Sequence, residues 1–436
     1  MINTLHIKNF RSILDATIDF SFAEGKAPNG FATMQRIPFL QEPGATFRGV
    51  PVLALFGANA AGKSNILKAI DAFQRRAIGR QPGNYPFYQP EKLHGPLRPT
   101  EMELSFFADA HEFRYLLVAD EAKILREELF ADGAIVYAIR ETEAELSALV
   151  QQAYPLENLL TFKKVECAQT PDGFIRRTFL SVLGKNYAGL DNRVKTVYEF
   201  FKRKIVPSAT DNLNMGGFPE DVHNLAELRG TDEKTVLADI VGIIRKLDVP
   251  IDDISIVREK KADLSVDMVP AYQTWVPGRD GDGEPALLHL QTTHRDENGN
   301  PVVFRLNEEE SAGTQNLVYL VARMLLALER GGIVFVDELD KSLHPILVRS
   351  LLNLFVERGR NRKGARLVFT THCTDLMDDS ILRLSEIGIV SNSAKTGTQI
   401  CRLSDLRAKG MDIRNVTDFR RNYMDGFYSG VPYPSL

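Results

Sequence analysis

One eight-residue segment, from Gly57 to Ser64, constrains the fold of this chain more than any other part of its sequence. It reads Gly-Ala-Asn-Ala-Ala-Gly-Lys-Ser and matches the phosphate-loop pattern G-x-x-x-x-G-K-[ST] completely. An apolar run typical of a buried strand, residues 52–56, precedes it, and apolar side chains at helical spacing follow from Ile66 to Phe73. A strand, a glycine-containing loop and a helix in this order predict a nucleoside triphosphate site rather than an ordinary strand-to-helix turn.

The residue types in this loop each suit a phosphate group and its Mg²⁺ ion. Gly57 and Gly62 let the backbone curl so that successive N–H groups point at an anion. Lys63 is long enough to reach the β- and γ-phosphates, where it also serves catalysis, and Ser64 offers its hydroxyl to Mg²⁺. We therefore expect this segment to supply the following ATP-binding residues: Gly57, Asn59, Ala60, Gly62, Lys63, Ser64 and Asn65.

Composition weighs against several other classes of protein. The 53 basic and 57 acidic residues give a net charge of −4, which argues against coating nucleic acid through bulk charge but leaves room for a local basic patch. Cys167, Cys373 and Cys401 are far apart with no C-x-x-C pair, so neither a disulfide framework nor a zinc ribbon is expected. No stretch approaches the ~18 apolar residues of a membrane span, and we expect a cytoplasmic protein with no membrane partner.

Residue patterns divide the 436-residue chain into three parts. Strand-like runs dominate residues 1–140, which also contain an extended Gly- and Pro-rich segment at 23–50. Residues 141–253 show mostly helical patterns, at 144–152, 193–204 and 233–247, and predict an inserted helical domain. Residues 254–436 begin with strands and then alternate helix and strand, which predicts a parallel sheet covered by helices. The expected fold class is α/β, with an antiparallel lobe and a mainly helical insertion.

A second motif, Asp337-Glu338, directly follows the apolar run 333–336 and resembles a Walker B pattern. An aspartate at the carboxyl end of a central strand can hold the Mg²⁺ that Ser64 also binds, and the adjacent glutamate can polarise an attacking water as general base. Taken alone, an acidic pair could simply end a buried strand. Because phosphoryl transfer needs both an anion cradle and a metal ligand, the two motifs together favour the functional interpretation.

Two further segments flank this motif. Residues 310–315 read Glu-Ser-Ala-Gly-Thr-Gln and stand before the helix that leads to it. Ser311 would cap that helix, and its hydroxyl with the nearby N–H groups could bind a γ-phosphate; a simple helix cap is the alternative. After the motif, Phe369-Thr370-Thr371-His372 is a strand ending in a histidine.

Taken in order, five segments resemble ABC-type ATPases related to SMC, Rad50 and overcoming-lysogenization-defect proteins. They are Ile-Lys-Asn-Phe-Arg-Ser at 7–12, the phosphate loop, Ser-Ala-Gly-Thr-Gln at 311–315, Val-Asp-Glu-Leu-Asp with Leu-His-Pro at 336–345, and Thr-Thr-His at 370–372. The closest likeness is to stand-alone AAA-type ATP-binding proteins of prokaryotic anti-phage defence loci, which act with a separate nuclease. The resemblance covers roughly residues 1–130 and 300–436 and implies that 1–140 and 254–436 are the two halves of an ATPase head.

The resemblance also implies how the site is completed. ATP would be sandwiched between two heads, with the phosphate loop of one facing the signature segment of the other, so the protein would form a homodimer or a higher homo-oligomer. His372 would contact the γ-phosphate and the attacking water. The remaining residues implied are Ser311, Gly313 and Gln315 of the signature, Asp340 facing the partner head, and Gln89 as a ligand of Mg²⁺.

Departures from the relatives narrow the function. The chain lacks the long heptad pattern of SMC and Rad50 arms, and only about 60 residues follow His372, too few for a Toprim nuclease domain. The tail at 419–433 resembles those of ATPases encoded beside a Toprim-type nuclease and would bind a partner, but its aromatic residues could equally pack on their own domain.

Three functions therefore stay open. The first is an ATP-hydrolysing sensor or regulator subunit of an anti-phage complex, which controls a separate nuclease and responds to DNA or a phage protein. The second is a DNA repair or recombination ATPase of RecF or Rad50 type. The third is a scaffold that binds ATP without hydrolysing it, against which the intact Lys63, Asp337 and Glu338 weigh.

Overall fold

The computed structural model describes residues 1–23, 35–80, 86–141, 143–154, 159, 162, 177–186, 191–206, 217–260, 275–276, 286–408, 418–428 and 430–431. Predictions made for part of the 23–50 segment, for Cys167, for the turn-rich residues 277–285 and for the tail beyond Val431 lie outside these residues.

The chain folds into strands and helices in the following order. The strands are β1 (Ile2–Phe10), β2 (Ile13–Asp19), β3 (Val52–Phe56), β4 (Thr100–Ala108), β5 (His111–Ala119), β6 (Ile124–Ala131), β7 (Ala134–Arg140), β8 (Ala144–Leu146), β9 (Ile205–Val206), β10 (Asp253–Lys260), β11 (Trp275–Val276), β12 (Ala286–Arg295), β13 (Pro301–Arg305), β14 (Ile333–Val336), β15 (Arg366–Thr370), β16 (Ile387–Ser393) and β17 (Gly397–Arg402). The helices are α1 (Lys63–Ala77), α2 (Ala148–Ala153), α3 (Phe179–Asn186), α4 (Asn192–Glu199) with a π-helical continuation (Phe200–Lys204), α5 (Phe218–Arg229), α6 (Glu233–Lys246), α7 (Leu306–Glu309), α8 (Ala312–Arg330), α9 (Pro345–Val356), α10 (Leu403–Ala408) and α11 (Phe419–Met424).

The central sheet has six strands in the order β17-β16-β3-β15-β14-β9. All neighbours pair in parallel except β16 and β17. Every residue of β3, β14 and β15 is buried, as expected for parallel strands covered on both faces. Their carboxyl ends share one edge, so Gly57, Asp337 and Thr371 begin the loops that meet there. The predicted α/β fold with a parallel sheet is confirmed.

A second sheet of seven antiparallel strands, β2-β1-β4-β5-β6-β7-β8, forms the predicted antiparallel lobe. Helix α1 packs between this lobe and the central sheet: the ring of Phe73 stacks on Tyr115 at a centroid distance of 5.7 Å and meets the edge of Phe201 at 5.4 Å. On the other face of the central sheet, α5, α6, α8 and α9 bury a second core. A smaller sheet contains β10, β11, β12 and β13.

The segment predicted as a helical insertion also contributes strands. Residues 144–146, predicted as the start of a helix, instead form β8, which pairs with β7 before α2 begins. Strand β9 joins the central sheet by pairing with β14. In addition, Gln74 of α1 is buried and donates from Nε2 to the carbonyls of Phe201 at 2.8 Å and Ile205 at 2.7 Å. Residues 200–206 are therefore bound both to α1, which follows the phosphate loop, and to β14, which precedes Asp337. The bounds 141–253 of the predicted insertion stay a prediction.

The C-terminal tail packs on the domain through three aromatic side chains. Phe419, Tyr423 and Tyr428 are buried, while Met424 and Phe427 are exposed. Among the helices that the structure describes, none is both long and apolar enough to cross a membrane.

Candidate nucleotide site

The phosphate loop runs from the end of β3 to the first residue of α1, and close packing explains both of its glycines. A Cβ at Gly57 would lie 2.3 Å from the carbonyl oxygen of Val390. Gly62 has a φ of +100°, and a Cβ there would lie 2.1 Å from Oγ1 of Thr398. Only glycine fits these two positions, because neither neighbour leaves room for a side chain and because L side chains rarely adopt the φ of Gly62.

Lys63 folds back over its own loop. Its Nζ donates to the carbonyl oxygens of Gly57 at 2.8 Å and Ala58 at 3.0 Å. Burial lowers the pKa of Lys63, while the nearby carboxylates of Asp337, Glu338 and Asp340 act in the opposite direction. The fold thus brings the phosphate-loop lysine and the three acidic residues predicted for the same site into one electrostatic environment.

Thr370, the last residue of β15, holds the acidic motif after β14. Its hydroxyl donates to Oδ1 of Asp337 at 2.5 Å and accepts the backbone N–H of Glu338 at 2.7 Å. Its carbonyl accepts the N–H of Leu339 at 3.0 Å. Glu338 itself is exposed and has a φ of +50°. The turn therefore fixes Asp337 from one side and presents the Glu338 carboxylate to solvent.

His372 and Asp340, predicted to contact the γ-phosphate and to face the partner head respectively, are neighbours in the structure. The N–H of His372 lies 3.3 Å from each carboxylate oxygen of Asp340. Both side chains belong to loops at the carboxyl edge of the central sheet. His372 is exposed, which leaves its imidazole ring accessible from solvent.

The signature segment caps α8. Ser311 accepts the N–H of Thr314 at 3.2 Å, and Gln315 donates from Nε2 to the Glu310 carbonyl at 2.8 Å. A Cβ at Gly313 would lie 2.6 Å from the carbonyl oxygen of Ser342, so the start of α8 packs tightly on the loop that contains Asp340. Ser311 is exposed. Its role toward a second head stays a prediction, as does that of Gln315.

Two other predicted residues contact the turn between β1 and β2. Asn65 donates from Nδ2 to Oγ of Ser12 at 2.7 Å. Gln89 accepts from Nη1 of Arg11 at 2.9 Å, and its carbonyl accepts the N–H of Arg11 at 2.6 Å. This arrangement uses the Gln89 side-chain oxygen within the protein; its role as a Mg²⁺ ligand stays a prediction.

Three residues that support the site were given no role from the sequence: Ser12 and Thr370, which lie in the segments 7–12 and 370–372 named there, and Thr398. The Thr398 hydroxyl lies 2.7 Å from the Ser12 hydroxyl and donates to the carbonyl of Ala61 at 3.1 Å. Ser12 and Thr398 are 386 positions apart, so no local pattern could have joined them. Thr370 belongs to the Thr-Thr-His segment, and its place as the last residue of a predicted strand was the signal that could have identified it.

The donor set suits Mg²⁺ bound together with a nucleotide. Ser64 and Asp337 offer a hydroxyl and a carboxylate, the hard oxygen ligands that Mg²⁺ prefers. Among the residues that the structure describes, no group of three or more His, Cys, Asp or Glu side chains could hold a metal ion alone. A hydroxyl and a carboxylate fit a cation that takes its other ligands from phosphate oxygens and water, as Mg²⁺ commonly does in nucleotide sites.

Comparison with known proteins assigns a family. The family model described as "AAA domain, putative AbiEii toxin, Type IV TA system" matches residues 52–131 and 208–378, more than half of the chain. The chain belongs to this family of AAA domains. Both the phosphate loop and the Asp337-Glu338 motif lie within the matched residues.

Two solved structures match this chain at low sequence identity and low TM-score. One is described as the SmcHead bound to the C-winged helix domain of ScpA, with 16% identity, a TM-score of 0.39, and coverage of 94% of this chain and 99% of that one. The other is the SMC head domain from Thermotoga maritima, with 15% identity, a TM-score of 0.38, and coverage of 92% and 98%. No curated protein matches the sequence.

Proposed function

We propose that this AAA-domain protein binds and hydrolyses ATP with Mg²⁺ and that two copies close around the nucleotide. One observation carries the proposal: the parallel strands β3, β15 and β14 bring the loop with Lys63 and the turn with Asp337 and Glu338 to the carboxyl edge of one sheet. Thr370 ties the two acidic residues together from the strand between β3 and β14. Membership of the AAA family supports the same reading.

Each residue has a role that its environment permits. Bound Mg²⁺, held by Ser64 and Asp337, would neutralise charge on the phosphate oxygens. Lys63 must exchange its bonds to two loop carbonyls for bonds to phosphate, which a four-carbon side chain can do by rotation. Glu338 projects into solvent, where it can accept a proton from water, and His372 lies beside Asp340 on the neighbouring loop.

The exposed start of α8 supports closure of two heads. Ser311 leaves its hydroxyl at the surface, at the positive end of a 19-residue helix. Asp340 and Gly313 belong to the same packed surface, because the loop of residues 340–342 lies under α8. A phosphate presented by a second copy would find hydroxyl and N–H donors there.

Three variants test this proposal. Lys63→Ala should abolish binding of a fluorescent ATP analogue. Glu338→Gln should retain binding, lose phosphate release and accumulate an ATP-dependent dimer in light scattering. Ser311→Arg should bind ATP as a monomer and fail to dimerise. The exposed Glu297→Gln variant is the matched control and should behave as wild type.

The same variants separate the alternatives. Normal turnover by Glu338→Gln would remove the general-base assignment. Wild-type assembly and turnover by Ser311→Arg would remove the two-head arrangement. A scaffold that only binds ATP would show no hydrolysis in the wild type either, with assembly unaffected by Glu338→Gln.

We further propose that ATP-driven closure makes the protein the regulatory subunit of an anti-phage complex with a separate nuclease. The support is the motif set and the family description, which names a toxin of a toxin–antitoxin system. Expression with its neighbouring genes should lower phage plating, and Glu338→Gln should abolish that protection. Equal protection by the variant would dissociate hydrolysis from defence.

A cluster of cations favours a second candidate, a DNA repair or recombination ATPase. Burial lowers the pKa of Lys185, and the positive charges of Arg177, Arg80 and Lys202 lower it further. Burial lowers the pKa of Arg330, the last residue of α8, and the nearby charges of Arg203 and Arg80 lower it further, while Asp221 and Glu220 raise it. Glu199 pairs with Arg203 at 2.5 Å and with Lys202 at 3.9 Å, so the cluster is partly neutralised. Arg80 lies just beyond the end of α1, so the helices that start at the phosphate loop and at the signature both end at this cluster.

Such a surface would bind phosphate backbones with strong salt dependence. The Arg80→Ala/Lys202→Ala double variant should weaken binding of a short fluorescent DNA duplex and reduce the slope of log affinity against log salt by about two. The Arg358→Ala/Arg362→Ala variant, which removes two exposed arginines elsewhere, is the matched control. Equal losses in both pairs, or no binding by the wild type, would remove this candidate.

A further inference from the structure

The C-terminal segment, residues 418–428 and 430–431, touches the phosphate loop directly. The backbone N–H of Ala58 donates to the carbonyl oxygen of Gly430 at 2.7 Å. The hydroxyl of Tyr423 donates to that same carbonyl at 3.1 Å, and its ring centroid lies 6.5 Å from that of Phe56. One carbonyl of the tail thus accepts bonds from the loop and from the tail helix α11.

This contact leaves no room for side chains. Gly430 has a φ of +75°, and a Cβ there would lie 2.9 Å from Cγ2 of Ile389 and 3.0 Å from the carbonyl oxygen of Val390. A Cβ at Gly57 would meet the same Val390 oxygen. The backbones of the phosphate loop, β16 and the tail therefore lie directly against one another.

The tail also reaches the segment that follows His372, the residue predicted to contact the γ-phosphate. Nη1 of Arg420 lies 2.6 Å from Oδ1 of Asp375, three positions after His372. Both side chains are about half exposed, so this ion pair alone stabilises little. Its importance is its place, since the C-terminal segment contacts the phosphate loop through Gly430 and the segment after His372 through Arg420.

We propose that Gly430 and Tyr423 are positioning residues of the nucleotide site, and that the C-terminal segment holds the start of the phosphate loop in its binding conformation. The proposal rests on the proposed ATP binding. Because the tail packs on the loop and on the segment after His372, ATP binding and ordering of the tail are coupled, and each strengthens the other by the same factor.

The first experiment needs no nucleotide. Hydrogen exchange by mass spectrometry would follow the peptide containing Ala58 in the wild type and in Gly430→Ala. We expect severalfold faster exchange in the variant, because its Cβ forces the Gly430 carbonyl away from the loop. Gly230→Ala is the matched control, since Gly230 also has a positive φ, of +65°, but ends helix α5, and a Cβ there would have nothing within 4 Å. Unchanged exchange in Gly430→Ala, or an equal rise in Gly230→Ala, would overturn the proposal.

The second experiment measures the affinity for a fluorescent ATP analogue. Tyr423→Phe removes one hydroxyl and should weaken binding about threefold, and Gly430→Ala about tenfold, with turnover at saturating ATP within about twofold of wild type. A partly unfolded preparation would instead lose active sites and keep its affinity. Wild-type affinity in both variants would overturn the proposal.

A third measurement separates failure of the inference from failure of the proposed function. ATP should slow exchange of the tail peptide in the wild type and leave it unchanged in Lys63→Ala. If the wild type does not bind the analogue, ATP binding itself is refuted. If it binds and the tail peptide is unaffected, ATP binding stands and the positioning role of the tail is refuted.

Discussion

Replacement of Thr370 by valine tests whether the Walker B residues must be held in place as well as present. Thr370 is fully buried, and its hydroxyl bonds to Asp337 at 2.5 Å and to the N–H of Glu338 at 2.7 Å. Valine keeps the β-branched shape that suits strand β15 and exchanges the hydroxyl for a methyl group. The change therefore removes two hydrogen bonds without opening a cavity.

The expected loss follows from these two bonds. A hydrogen bond to a charged group contributes about 1.5–3 kcal/mol and one between neutral groups about 0.5–1.5 kcal/mol. Water replaces part of this loss because Asp337 is half-buried and Glu338 exposed, so the lower ends apply. Their sum of about 2 kcal/mol corresponds to a fall in kcat of about 30-fold.

Phosphate release at saturating ATP measures this fall, and binding of a fluorescent ATP analogue should stay within about threefold of wild type because the phosphate loop is unchanged. Thr370→Ser keeps the hydroxyl and should restore most of the turnover. Thr100→Val is the matched control: Thr100 is also a fully buried strand residue, and its hydroxyl donates to the Asn9 carbonyl at 2.9 Å. Wild-type turnover by Thr370→Val, or an equal fall in the control, would refute the reasoning.

Three further substitutions test the packing around the site and a buried charge. Gly62→Ala should abolish binding of the ATP analogue, because its Cβ would clash with Thr398 at a φ of +100°. Gly95→Ala is the control: Gly95 has a φ of +91° with nothing within 4 Å, so the substitution should lower the free energy of unfolding only by the backbone strain of about 1 kcal/mol. Equal effects of the two substitutions on ATP-analogue binding would contradict this explanation. Gln74→Leu should lower the free energy of unfolding by about 2–3 kcal/mol in urea titrations, since two buried carbonyls lose their donor, and a loss below about 0.5 kcal/mol would argue against those bonds. Burial raises the pKa of Asp221 to about 6, above the ordinary value of 3.8, so the folded state binds this proton more tightly than the unfolded chain does. The stability that this group provides is complete below the unfolded pKa and is lost as pH rises through 6. Wild type should therefore lose about 2.4 kcal/mol relative to Asp221→Asn between pH 4 and pH 7, and a difference that does not change with pH would contradict the shift.

The sequence predicts those parts of the site that depend on residues close together in the chain. A phosphate loop follows from glycines that permit its curl, a preceding buried strand and a following amphipathic helix, all within about 25 residues. Asp337 and Glu338 are predictable for a similar reason, because residues following parallel strands must share one edge of the sheet. The sequence therefore predicts that Lys63 and Asp337 lie at the same edge of the sheet.

The parts that the sequence does not predict depend on distant residues or on very short elements. Thr398 and Gly430 support the phosphate loop from more than 300 positions away, and their residue types carry no signal of that contact. Strand β9 is only two residues long, too short for its pattern to be separated from the helical residues before it. Its place beside β14 follows from tertiary packing.

Backbone strain at Glu338 links the stability of the site to its proposed chemistry. A φ of +50° costs a non-glycine residue about 1–2 kcal/mol, and it persists here because Thr370 fixes the N–H groups of Glu338 and Leu339. Glycine adopts this φ without strain, so Glu338→Gly should be at least as stable as Glu338→Ala in urea titrations, although glycine is ordinarily less favourable than alanine by about 0.5–1 kcal/mol. Neither variant should hydrolyse ATP. If Glu338→Gly is less stable than Glu338→Ala by that ordinary margin, the left-handed turn is not strained. The hydrogen bonds from Thr370 would then not be needed to hold Glu338 in this conformation.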